Sequence, residues 1–273
     1  MSTEKFESTS EGWDAIAQKF AKVADVLTAP YAVETLDALK VTSGERLLDL
    51  ACGTGPLSFA AAKQGADVMA VDWSADMIAY LVNQAETNGL DNISAKVMDG
   101  QALELPDESF DVACSVFGVF LFPDFRKGLA EMVRVVKPGG RVGVTVWGDF
   151  EQIGHMRLWK EAILDLYPDA PDLPKPDGWK AMHDADGLER ELQTAGLTSI
   201  SIRPLSLTWT VPSPTWFSQN IGSCPLYDSY FEALGPDARD RTRERLFAQL
   251  EERHGESSFE LTSQALVGMG KKG

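Results

Sequence analysis

The sequence predicts an α/β fold built on a doubly wound, largely parallel sheet. Three observations carry the prediction. Short apolar runs alternate with helical periodicities from residue 46 to residue 147. A glycine turn, Cys52-Gly53-Thr54-Gly55, joins the first of those runs directly to a helix. The 273-residue chain, 44% apolar, is large enough for one α/β domain with an elaboration.

Residues 11–40 read as helical. Trp13, Ile16, Ala17, Phe20, Val23 and Ala24 recur at helical spacing, and Pro30 opens a second short helix through Leu36 and Leu39. The alternation follows. Arg46–Ala51 is a strand and Pro56–Gln64 a helix. Ala66–Val71 is a strand, and Ser74–Asn88 a helix with Ser74 as its N-cap. Ile93–Met98 and Phe110–Val116 are strands, and Phe125–Val136 is a helix. Lys137-Pro138-Gly139-Gly140 breaks that helix and turns the chain into a strand over Arg141–Trp147.

Beyond Trp147 the pattern changes. Residues 149–183 contain Trp159, Tyr167, Trp179 and several prolines with little periodicity, as in an inserted lid. Asp186–Ala195 is a helix closed by Gly196, Thr198–Val211 a long strand, Asp237–His254 a charged amphipathic helix and Phe259–Met269 a last strand. The stretch 212–235 is rich in proline and aromatic residues. The expected organisation is an N-terminal helical cap (1–42), a ligand-binding core (43–148), and a lid with the remaining strands (149–273).

Composition narrows the partners. A net charge of −16, from 25 basic and 41 acidic side chains, repels phosphate backbones and argues against a nucleic-acid partner. Cys52, Cys114 and Cys224 form no CxxC and cannot pair evenly, so neither a metal nor a disulfide framework is expected, as in a reducing compartment. The polar N-terminus lacks the apolar core of a signal peptide. The longest apolar run, 112–122, spans about 11 residues against the ~20 of a membrane helix. A cytoplasmic protein without membrane insertion is expected, and the 237–254 helix offers a surface for a homodimer.

The glycine turn argues against two common ligands. A phosphate-binding loop needs a Lys after its last glycine, and Pro56 follows Gly55. A dinucleotide fingerprint needs a third glycine where Ser58 stands. Acidic residues instead mark the ends of three successive apolar segments: Asp49 before the turn, Asp72 after the second strand and Asp99 after the third. A carboxylate such as Asp72, about 20 residues after the glycines, suits a vicinal diol.

Taken in order, these motifs resemble the class I S-adenosylmethionine (SAM)-dependent methyltransferases over residues 47–147. Phe117-Gly118 with Lys137-Pro138-Gly139-Gly140 is most similar to the ubiquinone/menaquinone-biosynthesis type. The resemblance implies a Rossmann-like, doubly wound, seven-stranded sheet, parallel with one antiparallel strand. It also implies SAM as cofactor. Asp49 then takes the ammonium end, while Ala51, Gly53 and Gly55 admit the ligand to bare backbone. Asp72 takes the ribose, Trp73 and Met77 the purine faces, Asp99 the adenine amino group, and Gly100 and Gln101 a ring nitrogen through their N–H groups. Val116 faces the methionine part. That subgroup usually continues with Arg-Asn, where this chain has Val119-Phe120, so the acceptor stays open among O, C and N of a small apolar or aromatic metabolite. His155, shortly after the fifth strand of the core, is the candidate catalytic base. An NAD-linked oxidoreductase and a non-catalytic SAM-binding protein are the alternatives.

Overall fold

The computed structural model describes residues 10–221 and 227–273. The readings made for the extreme N-terminus and for Cys224 lie outside them. Helices α1 (Ser10–Asp14), α2 (Ala17–Leu27) and α3 (Ala29–Leu39) come first. The alternating segment gives β1 (Arg46–Leu50), α4 (Pro56–Lys63), β2 (Asp67–Asp72), α5 (Ala75–Thr87), β3 (Ile93–Val97), β4 (Phe110–Val116), α6 (Phe125–Val135) and β5 (Val136–Trp147). Then come α7 (Gly154–Leu166), α8 (Asp177–Met182), α9 (Ala185–Thr194), β6 (Leu197–Val211), α10 (Pro214–Asn220), α11 (Asp228–Leu234), α12 (Ala238–His254) and β7 (Phe259–Lys272).

The strands form one seven-stranded sheet in the order β3-β2-β1-β4-β5-β7-β6. β1 to β5 pair in parallel, and β7 runs antiparallel to both of its neighbours. This is the expected parallel sheet with one antiparallel strand. Leu47, Leu48 and Leu50 of β1 are fully buried, as the continuous apolar runs of a parallel sheet covered on both faces require. β1 lies between β2 and β4, so the βα units leave β1 and β4 in opposite directions. Their carboxyl ends part there and open a crevice.

The chain after residue 148 returns to this sheet. β7 pairs with β5 from Arg141↔Lys271 to Trp147↔Ala265, and β6 closes the edge. Pro204, without a donor, is tolerated on that edge strand.

Two expectations change. The Lys137–Gly140 turn does not precede β5 but interrupts it: Phe110 pairs with Val136 and Val112 with Arg141, so residues 137–140 loop out of a strand already begun. Gly139 takes φ 75°, which only glycine adopts readily. The lid segment contains a regular 13-residue helix, α7. Finally, the apolar stripe of α12 (Ala238, Leu246, Leu250) is buried against α7 and α10 of the same chain. The helix therefore turns its charged side outward. No helix among the described residues is long and apolar enough to cross a membrane.

Helix α1 is tied to the core by a polar junction. Ser74, fully buried, accepts from the Met77 N–H at 3.1 Å as the N-cap of α5, and its hydroxyl donates to Asp14 Oδ1 at 2.5 Å. Asp14 Oδ1 also accepts from the Asp76 N–H at 3.1 Å. Ser74→Ala removes both bonds of the hydroxyl and is expected to lower the unfolding free energy by about 1–2 kcal/mol, read from urea denaturation.

Candidate functional site

Two cavities meet at the crevice. The first, of about 1000 Å³, lies over the carboxyl ends of β1, β2 and β4. Asp49, Ala51, Gly53, Asp72, Trp73, Met77, Asp99, Gly100, Gln101 and Val116 all line it. Gly55 does not. Its φ of 95° starts α4, and a Cβ there would come within 2.8 Å of Leu81 Cδ1. That glycine makes room for the core beneath α4, which corrects its assignment as a ligand contact. Gly53, at φ 55°, directs its N–H to Asp72 Oδ2 at 2.9 Å.

The acids of this cavity are held by donors of the fold. Asp49, 1% exposed, accepts from the Ser58 hydroxyl at 2.6 Å. Burial away from water pushes its carboxyl up to about 7, with the Ser58 bond opposing and the charge of Asp72 adding to the rise. Asp72 accepts from the N–H groups of Gly53 and Ser74, the latter at 3.0 Å. Its carboxyl is also raised by burial, against the pull of those two bonds. Asp99 is exposed, and its Oδ1 accepts from the Gln101 N–H at 2.8 Å. The Gln101 N–H expected to face a ligand ring nitrogen is therefore bound to Asp99, leaving Gly100 for that position. Among the described residues, no Lys or Arg lines this cavity.

The second cavity, of about 1200 Å³, is aromatic and apolar, and it lies between α2, the end of β5, α7 and α8. Trp13, Phe20, Thr28, Phe117 and Leu121 line both cavities and form their common boundary. At that boundary Phe117 stacks on Trp147 with centroids 3.8 Å apart, and Tyr31 meets both rings edge-on at 5.2 and 5.5 Å. His155, on α7, packs edge-on against Trp147 at 5.5 Å and lines the second cavity. Burial pushes its imidazole down to about 4, so the ring is neutral near pH 7. His183 and His254 line neither cavity. His183 Nδ1 lies 3.0 Å from the Lys180 carbonyl oxygen, and His254 stacks on Phe259.

Sequence reasoning missed the roof. Trp13 and Phe20, seven residues apart on α1 and α2, read as an ordinary apolar helical face, yet both line both cavities. It also missed two strained positions. Ala51 (φ 56°) and Phe117 (φ 57°) take left-handed conformations at the ends of β1 and β4, a cost usually met at functional sites.

The strand order and an acid-lined crevice at the switch point define an open α/β protein that binds its ligand at the carboxyl strand ends. Comparison with known proteins specifies the class. A methyltransferase-domain family model matches residues 47–140. A demethylmenaquinone methyltransferase of Paenarthrobacter aurescens is 34% identical over 209 residues, covering 71% of this chain and 80% of that protein. An uncharacterized protein of Mycobacterium tuberculosis is 34% identical over 156 residues, 55% of this chain, and the chain spans 57% of its length. The YcgJ protein of Bacillus subtilis has the same fold, with a TM-score of 0.58 at 15% identity over 89% of this chain and 98% of that one. The chain belongs to the class I SAM-dependent methyltransferases of the ubiquinone/menaquinone-biosynthesis type.

The raised carboxyl of Asp49 has a consequence for stability. Between its unfolded range and about 7 the folded state holds the extra proton, so its contribution is complete at low pH and is lost as pH rises to about 7. Asp49→Asn, which keeps an acceptor for Ser58, is expected to exceed the wild type in stability at pH 8 by up to about 4 kcal/mol. The difference shrinks toward pH 4, as urea denaturation at the two pH values will show.

Proposed function

We propose that this protein moves a methyl group from SAM to O, C or N of a small, largely apolar acceptor. The observation that carries the reading is a pair of adjoining cavities of opposite character. Among the described residues, one offers three carboxylates and no basic side chain, and the other is walled by aromatic rings.

The first cavity suits SAM, which carries an ammonium, a sulfonium and a ribose diol but no phosphate. A nucleotide with phosphates would meet only acids there. Ser58, where a dinucleotide loop has its third glycine, has its hydroxyl engaged with Asp49. Asp49 and Asp72 take the ammonium and the ribose hydroxyls. Trp73 and Met77 flank the adenine, and Asp99 with Gly100 meets its edge. Ala51, Gly53 and Val116 supply close backbone. When bound, SAM supplies a methyl group made electrophilic by its sulfonium.

The chain aligns an acceptor at the Phe117 boundary and excludes water with the Trp13–Phe20 roof. Alignment and dryness account for much of the rate in such a displacement. The two described cysteines are free and buried, which supports a cytoplasmic location. The net charge of −16 supports a small-molecule partner over nucleic acid.

Isothermal titration tests the donor site. SAM is expected to bind and NAD not to. Asp72→Ala is expected to weaken SAM binding by about 1–3 kcal/mol through the lost charge-assisted hydrogen bonds. Binding of NAD without SAM would overturn the assignment.

A further inference from the structure

One buried hydroxyl has no role in the reading above beyond ruling out a third glycine. Leu57, Ser58, Ala61 and Ala62 form the buried face of α4, and Ser58 alone among them is polar. Its side chain is closed to solvent, and its hydroxyl donates to Asp49 Oδ2 at 2.6 Å. Ser58 does not line the first cavity, whereas Asp49 does. A ligand therefore senses Ser58 only through the Asp49 carboxylate.

That carboxylate has little else to keep it charged. Asp72, at the end of β2, faces it with a charge of the same sign. Cys52 in the turn and Cys114 on β4 are its other titratable neighbours, and burial keeps both as neutral thiols. Helices α1, α2 and α3 bring Trp13, Phe20 and Ala32 to the same cavity, and none of these titrates. Burial lifts the Asp49 carboxyl to about 7, and the Ser58 hydroxyl is the strongest influence against that rise, with the Ser58 N–H adding to it. A carboxylate accepts several hydrogen bonds, so the one from Ser58 leaves room for an ammonium.

We propose that Ser58 is a positioning residue for the cofactor: its hydroxyl fixes the Asp49 carboxylate and favours its ionised form, the form that receives the ammonium of SAM. Near neutral pH the arriving ammonium replaces a proton, which leaves Asp49 for solvent. Affinity for the amino-acid end of the cofactor then falls as pH drops, and Ser58 sets where that fall occurs. This deepens the methyltransferase reading and rests on its placement of SAM in the first cavity.

The experiment titrates the full chain with two ligands between pH 5.5 and 8. S-adenosylhomocysteine carries the ammonium. 5′-Methylthioadenosine has the same adenine, ribose and sulfur without the amino-acid end, so the ratio of the two affinities separates Asp49 from Asp72. In the wild type that ratio is expected to fall about tenfold from pH 8 to pH 6. Ser58→Ala is expected to move the fall toward higher pH and to weaken S-adenosylhomocysteine about tenfold at pH 7. Its affinity for 5′-methylthioadenosine is expected to match the wild type, which shows that the variant is folded. Asp49→Asn is expected to give a low, flat ratio, and adding Ser58→Ala to it is expected to change nothing further.

The proposal is overturned if the wild-type ratio is independent of pH, or if Ser58→Ala leaves the profile where it was. It is also overturned if Ser58→Ala weakens both ligands alike, because Ser58 then serves only the packing of α4. Failure of both ligands to bind the wild type overturns the SAM reading itself and this proposal with it, whereas binding of both with an unmoved profile overturns this proposal alone.

Discussion

The close approach of two strand ends governs this molecule. Where β1 and β4 finish, Ala51 and the Phe117–Gly118 pair are packed so tightly that a Cβ on Gly118 would lie 2.5 Å from Ala51 Cβ. The chain resolves the crowding by forcing Ala51 and Phe117 into left-handed conformations and leaving position 118 without a side chain. After that crossing the two βα units diverge, and the crevice between them becomes the first cavity. Phe117, turned by the same strain, stacks on Trp147 and becomes part of the boundary with the second. The two cavities adjoin at Phe117, which lines both.

Electrostatics divides the chambers. The first cavity gathers carboxylates without a Lys or Arg among its described lining residues, and the fold holds Asp49 and Asp72 with a hydroxyl and backbone N–H groups. Such a site repels phosphate and attracts a cation. Burial lifts both carboxyls, so holding a proton lowers the cost of keeping them away from water. The acceptor side has the opposite logic. Its histidine is made neutral by the same burial that raises the acids. Burial therefore shifts the acids of the first cavity and the histidine of the second in opposite senses, each toward its neutral form.

Most of the sheet was legible in the sequence because parallel strands and their helices carry strong periodic signals. β1, α4, β2, α5, β3, β4 and α6 fall within a residue or two of their expected ends. α7 was hidden for a physical reason. Its N-cap is Ile153, which offers no side-chain bond, and prolines crowd its C-terminal flank. Its apolar spacing at Leu158, Trp159, Ala162 and Ile163 was present without the usual start signal. The acids of the donor cavity were legible because strand ends position them. Gly55 and the Gln101 N–H were misread because their roles depend on Leu81 and on the turn closed by Asp99. Neither neighbour is predictable from local pattern.

The roof joins these parts. Trp13 and Phe20 meet edge-on at 5.9 Å and line both chambers. α1 has no buried residue of its own, so its position rests heavily on Asp14, which takes the Ser74 hydroxyl and the Asp76 N–H. Ser74 in turn gives its backbone N–H to Asp72. A continuous line of hydrogen bonds therefore runs from the carboxylate at the heart of the donor cavity to the helix that covers it. Because Trp13 and Phe20 line both cavities, the network that begins at Asp72 ends at a wall the two cavities share. Exclusion of water from the two chambers is thus one structural property rather than two.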